Sequence, residues 1–152
     1  MIPYSAPLQD MRFVMQNIAG LDQVAALPGY EMAERDLVDH ILEEANKQVS
    51  DVLAPLNLSG VQEGASIENG VVRTPGGFSD AYKQFIEGGW NGVPFEEEFG
   101  GQGLPWLVQT ALHEMWQAAN MSFGLCPLLT QGAIEAISAH GTDQQKAVYL
   151  TK

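Results

Sequence analysis

A chain of 152 residues that is 45% hydrophobic and 17% charged is long enough and apolar enough to bury a core, which excludes a disordered tail. Seven Lys and Arg against nineteen Asp and Glu leave a net charge of −12, which excludes nucleic acid and anionic membrane surfaces as partners and reads as the acidity of a soluble protein. The lone Cys126 excludes an intrachain disulfide, Met1-Ile2-Pro3-Tyr4 lacks the basic-then-apolar pattern of a signal peptide, and no window is apolar enough to span a bilayer, so a cytoplasmic location is expected.

In chain order, the first predicted helix runs from Pro7 to Ile18, with Leu8, Met11, Met15 and Ile18 on one stripe. Pro28-Gly29 interrupts the chain. The clearest helix then places Leu37, Val38, Ile41, Leu42, Ala45, Val49, Val52 and Leu53 on one face and Asp39, Glu43, Glu44 and Lys47 on the other, and Pro55 is expected to stop it. Ser66 to Val72 reads as a small hairpin, because Asn69-Gly70 suits the two positive-φ positions of a type I′ turn. Strand is expected only around Ile67–Arg73. Ser79 is the expected cap of a short helix carrying Ala81, Tyr82, Phe85 and Ile86, closed by Gly88-Gly89.

Trp90 to Leu104 reads as a loop, with an extended step at Val93-Pro94 and a flexible run at Gly100-Gly101-Gln102-Gly103. A second strong helix carries Leu107, Val108, Ala111, Leu112, Met115, Trp116 and Ala119. A third is predicted from about Pro127 to Ala139, with Pro127 in its first turn and Gly132, Ala133 and Ala136 allowing close approach of another helix. Gly141 suits a left-handed C-terminal cap, and Thr142-Asp143-Gln144-Gln145 reads as a capping box opening a fourth helix. That helix offers only Val148, Tyr149 and Leu150 to a core before Lys152. The chain is therefore expected to be cut from a longer protein, by trypsin-like cleavage or by choice of boundary. The expected fold class is all-α, a helical bundle with one small β-hairpin.

Little in the sequence carries chemistry. His40, His113 and His140 show no His-x3-His or Glu-x-x-His spacing, so no metal site is expected and each reads as a surface or partly buried histidine. Glu96-Glu97-Glu98 reads as a solvated run, and the glycine-rich run lacks the features of a phosphate cradle. Cys126, in an apolar stretch without a paired base, is expected to be buried and unreactive.

Three strings point to a family. Gly92-Val93-Pro94 through Phe99-Gly100-Gly101-Gln102-Gly103-Leu104 precedes a long helix, that helix contains Glu114-Met115, and Gly141-Thr142-Asp143-Gln144-Gln145-Lys146 is followed by Tyr149-Leu150. In these the sequence resembles the N-terminal helical domain of acyl-CoA dehydrogenases, in register over about residues 78–152. Tyr4 to Val14 looks like the extra N-terminal segment of the long bacterial branch that includes 3-methylmercaptopropionyl-CoA dehydrogenases. The resemblance divides the chain into an N-terminal extension with a helix, residues 1–30, and the helical domain, residues 31–152, cut at its C-terminal end. The middle β-domain and C-terminal helical domain would then be absent.

The resemblance implies a parent that removes an α-proton from an acyl-CoA with a glutamate while a β-hydride passes to FAD. The glutamate and most flavin contacts belong to the absent domains, so no catalytic or cofactor-binding residue is assigned here, and the fragment alone is expected to hold no FAD and to be inactive. The parent's expected partners are acyl-CoA, an electron-transfer acceptor and further copies in a homo-oligomer. In the family this domain supplies one wall of the acyl pocket, around the turn between its two long helices. Here that is Phe123, Gly124, Leu125, Cys126, Pro127, Leu128, Leu129 and Thr130, and Phe123, Leu125, Cys126, Pro127, Leu128 and Leu129 are the candidate wall residues. Ordinary core packing would use the same residue types. With the partner domains missing, Phe123, Leu125, Leu128, Leu129, Tyr149 and Leu150 are expected to face water. A free-standing helical interaction module, or the same fold in an acyl-CoA oxidase or flavin monooxygenase relative, stays open. The sequence after Lys152 would separate these readings.

Overall fold

The structure is a computed structural model that describes residues 3–151. Met1, Ile2 and Lys152, on which the expectations about the start signal and the cut end partly rest, lie outside the described residues.

Helix α1 (Leu8–Asn17) turns Met11 and Met15 into the core and lies across α3 (Arg35–Gln48). Arg12 bridges the two, with its guanidinium 3.1 Å from Asp39 and 2.7 Å from Glu43, and Asn46 Oδ1 accepts a 2.7 Å bond from the Ala6 amide. Ile18, expected on the α1 stripe, is exposed, because the helix ends at Asn17 and the chain turns at Gly20 (φ 75°) into the unforeseen short helix α2 (Leu21–Ala25). Leu21 anchors α2 in the core, and Arg35 grips the Asp22 carboxylate with two nitrogens.

In α3, Val38, Leu42 and Ala45 repeat at helical spacing and are buried. Contrary to expectation, Pro55 does not end this run. The backbone widens into a π-turn (Val49–Leu53), in which the Ala54 amide bonds to the Val49 carbonyl, and passes into α4 (Ala54–Glu63). Pro55 thereby falls in the first turn of a new α-segment, where no amide donor is required. The hairpin forms as read: β1 (Ser66–Glu68) pairs antiparallel with β2 (Val71–Arg73), Ile67 opposite Val72, around Asn69 (φ 51°) and Gly70 (φ 79°).

Helix α5 (Phe78–Glu87) begins two residues earlier than expected. Gly77 in the left-handed region precedes it, and Ser79 lies within the first turn without capping. A side chain at Gly77 would meet Leu56, and the Phe78 ring lies on Gly60, so the α4–α5 contact sets this start. A loop with one 3-10 turn (Glu97–Phe99) leads to α6 (Trp106–His140).

The two helices expected at 107–119 and 127–139 meet directly. They are joined at one non-helical residue, Asn120 (φ −158°, ψ 90°), so the second segment starts at Met121 and Pro127 falls in its second turn. Asn120 makes this corner because its Oδ1 accepts a 3.1 Å bond from the Phe123 amide, three residues on, as an N-cap does. The turn is sharp. Gln109 and Gln131 would stand about 33 Å apart along a straight helix at 1.5 Å per residue, yet their amides are 3.3 Å apart. Gly141 is extended (φ −72°, ψ 150°) and not left-handed. Glycine is needed there for space, since a Cβ would lie 2.5 Å from the Ile137 carbonyl oxygen. Thr142 and Gln145 form the expected reciprocal capping box of α7 (Asp143–Tyr149).

The core lies between α3, the π-turn, α4, α5 and the first half of α6, with Leu42, Leu53, Phe85, Leu112, Met115 and Trp116 fully buried. Phe85 sits edge-on to both Trp116 (5.5 Å) and Phe123 (5.6 Å). The fold is all-α, a helical bundle with one small hairpin. Among the described residues no helix is long and apolar enough to cross a membrane.

Candidate functional site: an apolar face beyond the α6 corner

The sequence from Met115 to Ile134 carries no charged side chain, although the whole chain carries 26 Asp, Glu, Lys and Arg. The corner at Asn120 decides how these residues are used. Phe123 and Pro127, one turn apart, point inward. Phe123 is 4% exposed, and its ring meets those of Phe78 (6.5 Å), Tyr82 (6.3 Å) and Phe85 (5.6 Å). It is a core residue here, and the expectation that it faces water is corrected: starting the helix at Met121 turns position 123 toward α5. Gly124 is buried as well, against the Gln117 amide.

The outward side carries Leu125 (50% exposed), Cys126, Leu128 (40%) and Leu129 (75%), continued by Met121 and by Gly132 and Ala133. The candidate wall is thus split, with two residues in the core and four forming an apolar face toward solvent. Cys126 is exposed and not buried as expected, since it follows the inward Gly124 by two residues and so lies off the core-facing stripe. Tyr82, half-buried, borders this region, and burial first and the neighbouring Cys126 second push its phenol above its ordinary pKa. Tyr149 is exposed as expected, whereas Leu150 is half-buried.

The remaining candidates fall away on geometry. The amides of Gly100, Gly101, Gln102 and Gly103 all bond to loop carbonyls, of Glu97, Glu96, Gly92 and Phe95 at 2.9–3.0 Å, so none is free to cradle a phosphate. Glu96, Glu97 and Glu98 are exposed, and Glu96 accepts a 2.7 Å bond from the Ser138 hydroxyl, a tie between the loop and α6. His40 and His140 are exposed. Among the described residues no group of three potential ligands could hold a metal ion.

Clefts flank the bundle. One of about 220 Å³ lies between the 89–101 loop, Ile134 and Leu150; one of about 180 Å³ lies between α1 and the start of α6; one of about 330 Å³ lies between Pro94–Glu96 and Glu135–Ala139. None of these three is lined by Phe123–Thr130, whose outward side chains are exposed to solvent.

Sequence reasoning missed the polar residues that hold this face. Gln109, Asn120 and Gln131 are buried on α6, and Asn120 Nδ2 also donates 3.1 Å to the Leu53 carbonyl at the end of the π-turn. The available signal was a polar residue on an apolar helical stripe: Gln109 precedes Leu112 by three and Trp116 by seven, both core positions.

Two comparisons bear on this arrangement. The family described as "Acyl-CoA dehydrogenase, N-terminal domain" matches residues 34–152, more than half of the chain and all of it from the start of α3. The chain is 45% identical over 149 residues, 98% of its length, to a 3-methylmercaptopropionyl-CoA dehydrogenase of Ruegeria pomeroyi (strain ATCC 700808 / DSM 15171 / DSS-3). It spans about a quarter of the length of that curated relative.

Proposed function

The chain belongs to the acyl-CoA dehydrogenase N-terminal domain family, and from that premise we propose that it is the N-terminal portion of an FAD-dependent enzyme that dehydrogenates an acyl-CoA thioester. Its part is to close one side of the acyl pocket. The observation that carries this reading is the outward face of Leu125, Cys126, Leu128 and Leu129, an uncharged patch on a chain of net charge −12. A fatty-acyl tail needs an apolar sleeve that excludes water, and these side chains offer one without a buried charge. Phe123 and Pro127 support the sleeve from behind.

FAD, when bound by the parent, supplies the oxidising group. The flavin's pyrophosphate calls for cations, and this face presents none: no charged residue lies between Glu114 and Glu135, and the amides of Gly100 to Gly103 are already bonded. The residues present do not fit the phosphates, so no cofactor contact is assigned to this chain, and the purified chain is expected to be colourless and inactive. Electron transfer to an acceptor, assembly into a homo-oligomer and a cytoplasmic location belong to the same proposal for the parent.

The test is Leu129→Trp in the complete dehydrogenase. Filling the sleeve should lower kcat/KM for long acyl-CoA thioesters about tenfold relative to short ones. Equal rates across chain lengths, or a flavin band co-eluting with this chain alone, would refute the assignment.

A further inference from the structure

The wall hangs between two fixed points. At one end is the Asn120 corner, and eleven residues on is Gln131, buried to 2%. Gln109, Asn120 and Gln131 are the buried polar side chains among the described residues, and each bonds at or across the fold in α6. Packed apolar surfaces can slide and tilt with little penalty, whereas a buried amide bonded in fixed directions cannot.

The bonding of Gln131 determines itself. The Asn91 carbonyl, 3.2 Å away, can only accept, so Gln131 turns its Nε2 toward it. Its Oε1 then faces Gln109 Nε2 at 3.3 Å and His113 Nε2 at 2.5 Å. Both of those nitrogens must donate, so His113 carries its proton on Nε2. One side chain of the second half of α6 thus fastens to two residues of the first half and to the backbone of the loop after α5. Two acceptors of these residues, Gln109 Oε1 and Asn91 Oδ1, are buried without a partner.

We propose that Gln131 is a positioning residue for the acyl pocket: with Gln109, His113 and the Asn91 carbonyl it clasps the second half of α6 to the first and so sets the tilt of the face bearing Leu125, Leu128 and Leu129. The inference rests on the reading of that face as the pocket wall. Gln131, itself buried, does not contact the acyl chain. Its effect reaches the acyl chain through the angle of the helix.

The experiment has two arms. In the complete dehydrogenase, Gln131→Met keeps the side-chain length and removes the clasp. The expected result is a change of about fivefold or more in the ratio of kcat/KM for long against short acyl-CoA, carried by KM. In the 152-residue chain, spin labels at Thr110→Cys and Glu135→Cys, with Cys126→Ser, report the distance between the two halves of α6. Gln131→Met should shift or broaden a narrow distribution. A loss of thermal stability with unchanged selectivity and unchanged distance would make the cluster merely structural and overturn the proposal. If Gln131→Met does not fold, Gln109→Leu/Gln131→Met, which does not strand the Gln109 amide, decides by the same two readouts. Leu129→Trp separates the two ideas. If it alters selectivity and Gln131→Met does not, the wall stands and the clasp falls. If Leu129→Trp has no effect, the wall reading fails and the positioning role fails with it.

Discussion

Replacing Asn120 by alanine removes two bonds at the point on which the architecture turns. The Oδ1 acceptor for the Phe123 amide is lost, and loss of an N-cap costs about 1 kcal/mol. The Nδ2 donor to the Leu53 carbonyl is lost too, and a buried hydrogen bond contributes about 1 kcal/mol net. The two add to about 2 kcal/mol, equivalent to roughly 4–8 °C in Tm for a domain of this size. The side chain itself separates the terms. Asn120→Ser keeps an acceptor for the cap and gives up the reach to Leu53, so it should recover about half of the loss. Asn120→Asp also keeps the cap, but it sets an acceptor against the Leu53 carbonyl and buries a charge, and should be worse than serine. Thermal and urea unfolding followed by circular dichroism measure the series. If Asn120→Ala lies within 1 °C of wild type in Tm, or aspartate equals serine, the two-bond account of the corner is wrong.

Three further outcomes are expected. Phe123→Ala removes a ring packed against three others and should destabilise by about 3–5 kcal/mol, whereas Leu129→Ala at the exposed end of the wall should change stability by less than about 0.5 kcal/mol in urea titrations; equal losses would contradict the inward–outward split. Cys126 should react with a thiol reagent in the folded chain at close to the rate of an unfolded control, and protection until denaturation would mean that it is buried. The Arg35 guanidinium, by hydrogen bonding, holds the Asp22 carboxyl below the usual aspartate range. A depressed folded pKa gives a contribution present above the unfolded pKa and lost as pH falls through the folded one. Asp22→Asn should therefore lower Tm slightly at neutral pH and low salt, with the difference closing as pH drops below the ordinary aspartate range; a difference that persists in strong acid would refute the pairing.

The periodicity of Met11/Met15, Val38/Leu42/Ala45, Ala81/Phe85 and Val108/Leu112/Met115 determined where helices form and which sides they bury, because a stripe repeating at helical spacing can be covered in only one orientation. Asn69-Gly70 and the Thr142–Gln145 box were legible for a local reason: each is complete within a few residues. The family, too, was legible in short strings. The π-turn that carries the chain past Pro55, the starts of α2 and α4, and the fold of α6 were not.

The π-turn and the fold of α6 involve contacts between residues far apart in the chain, Asn120 with Leu53 and Gln131 with Gln109, His113 and Asn91. An apolar stretch such as residues 121–134 offers the same residue types to a core and to a pocket wall, so sequence alone could nominate Phe123–Leu129 but could not sort them. The corner did the sorting. Once the Asn120 side chain caps the second segment at Met121, helical geometry turns Phe123 and Pro127 inward and leaves Leu125, Cys126, Leu128 and Leu129 outside, and only the tertiary structure decides where that cap falls.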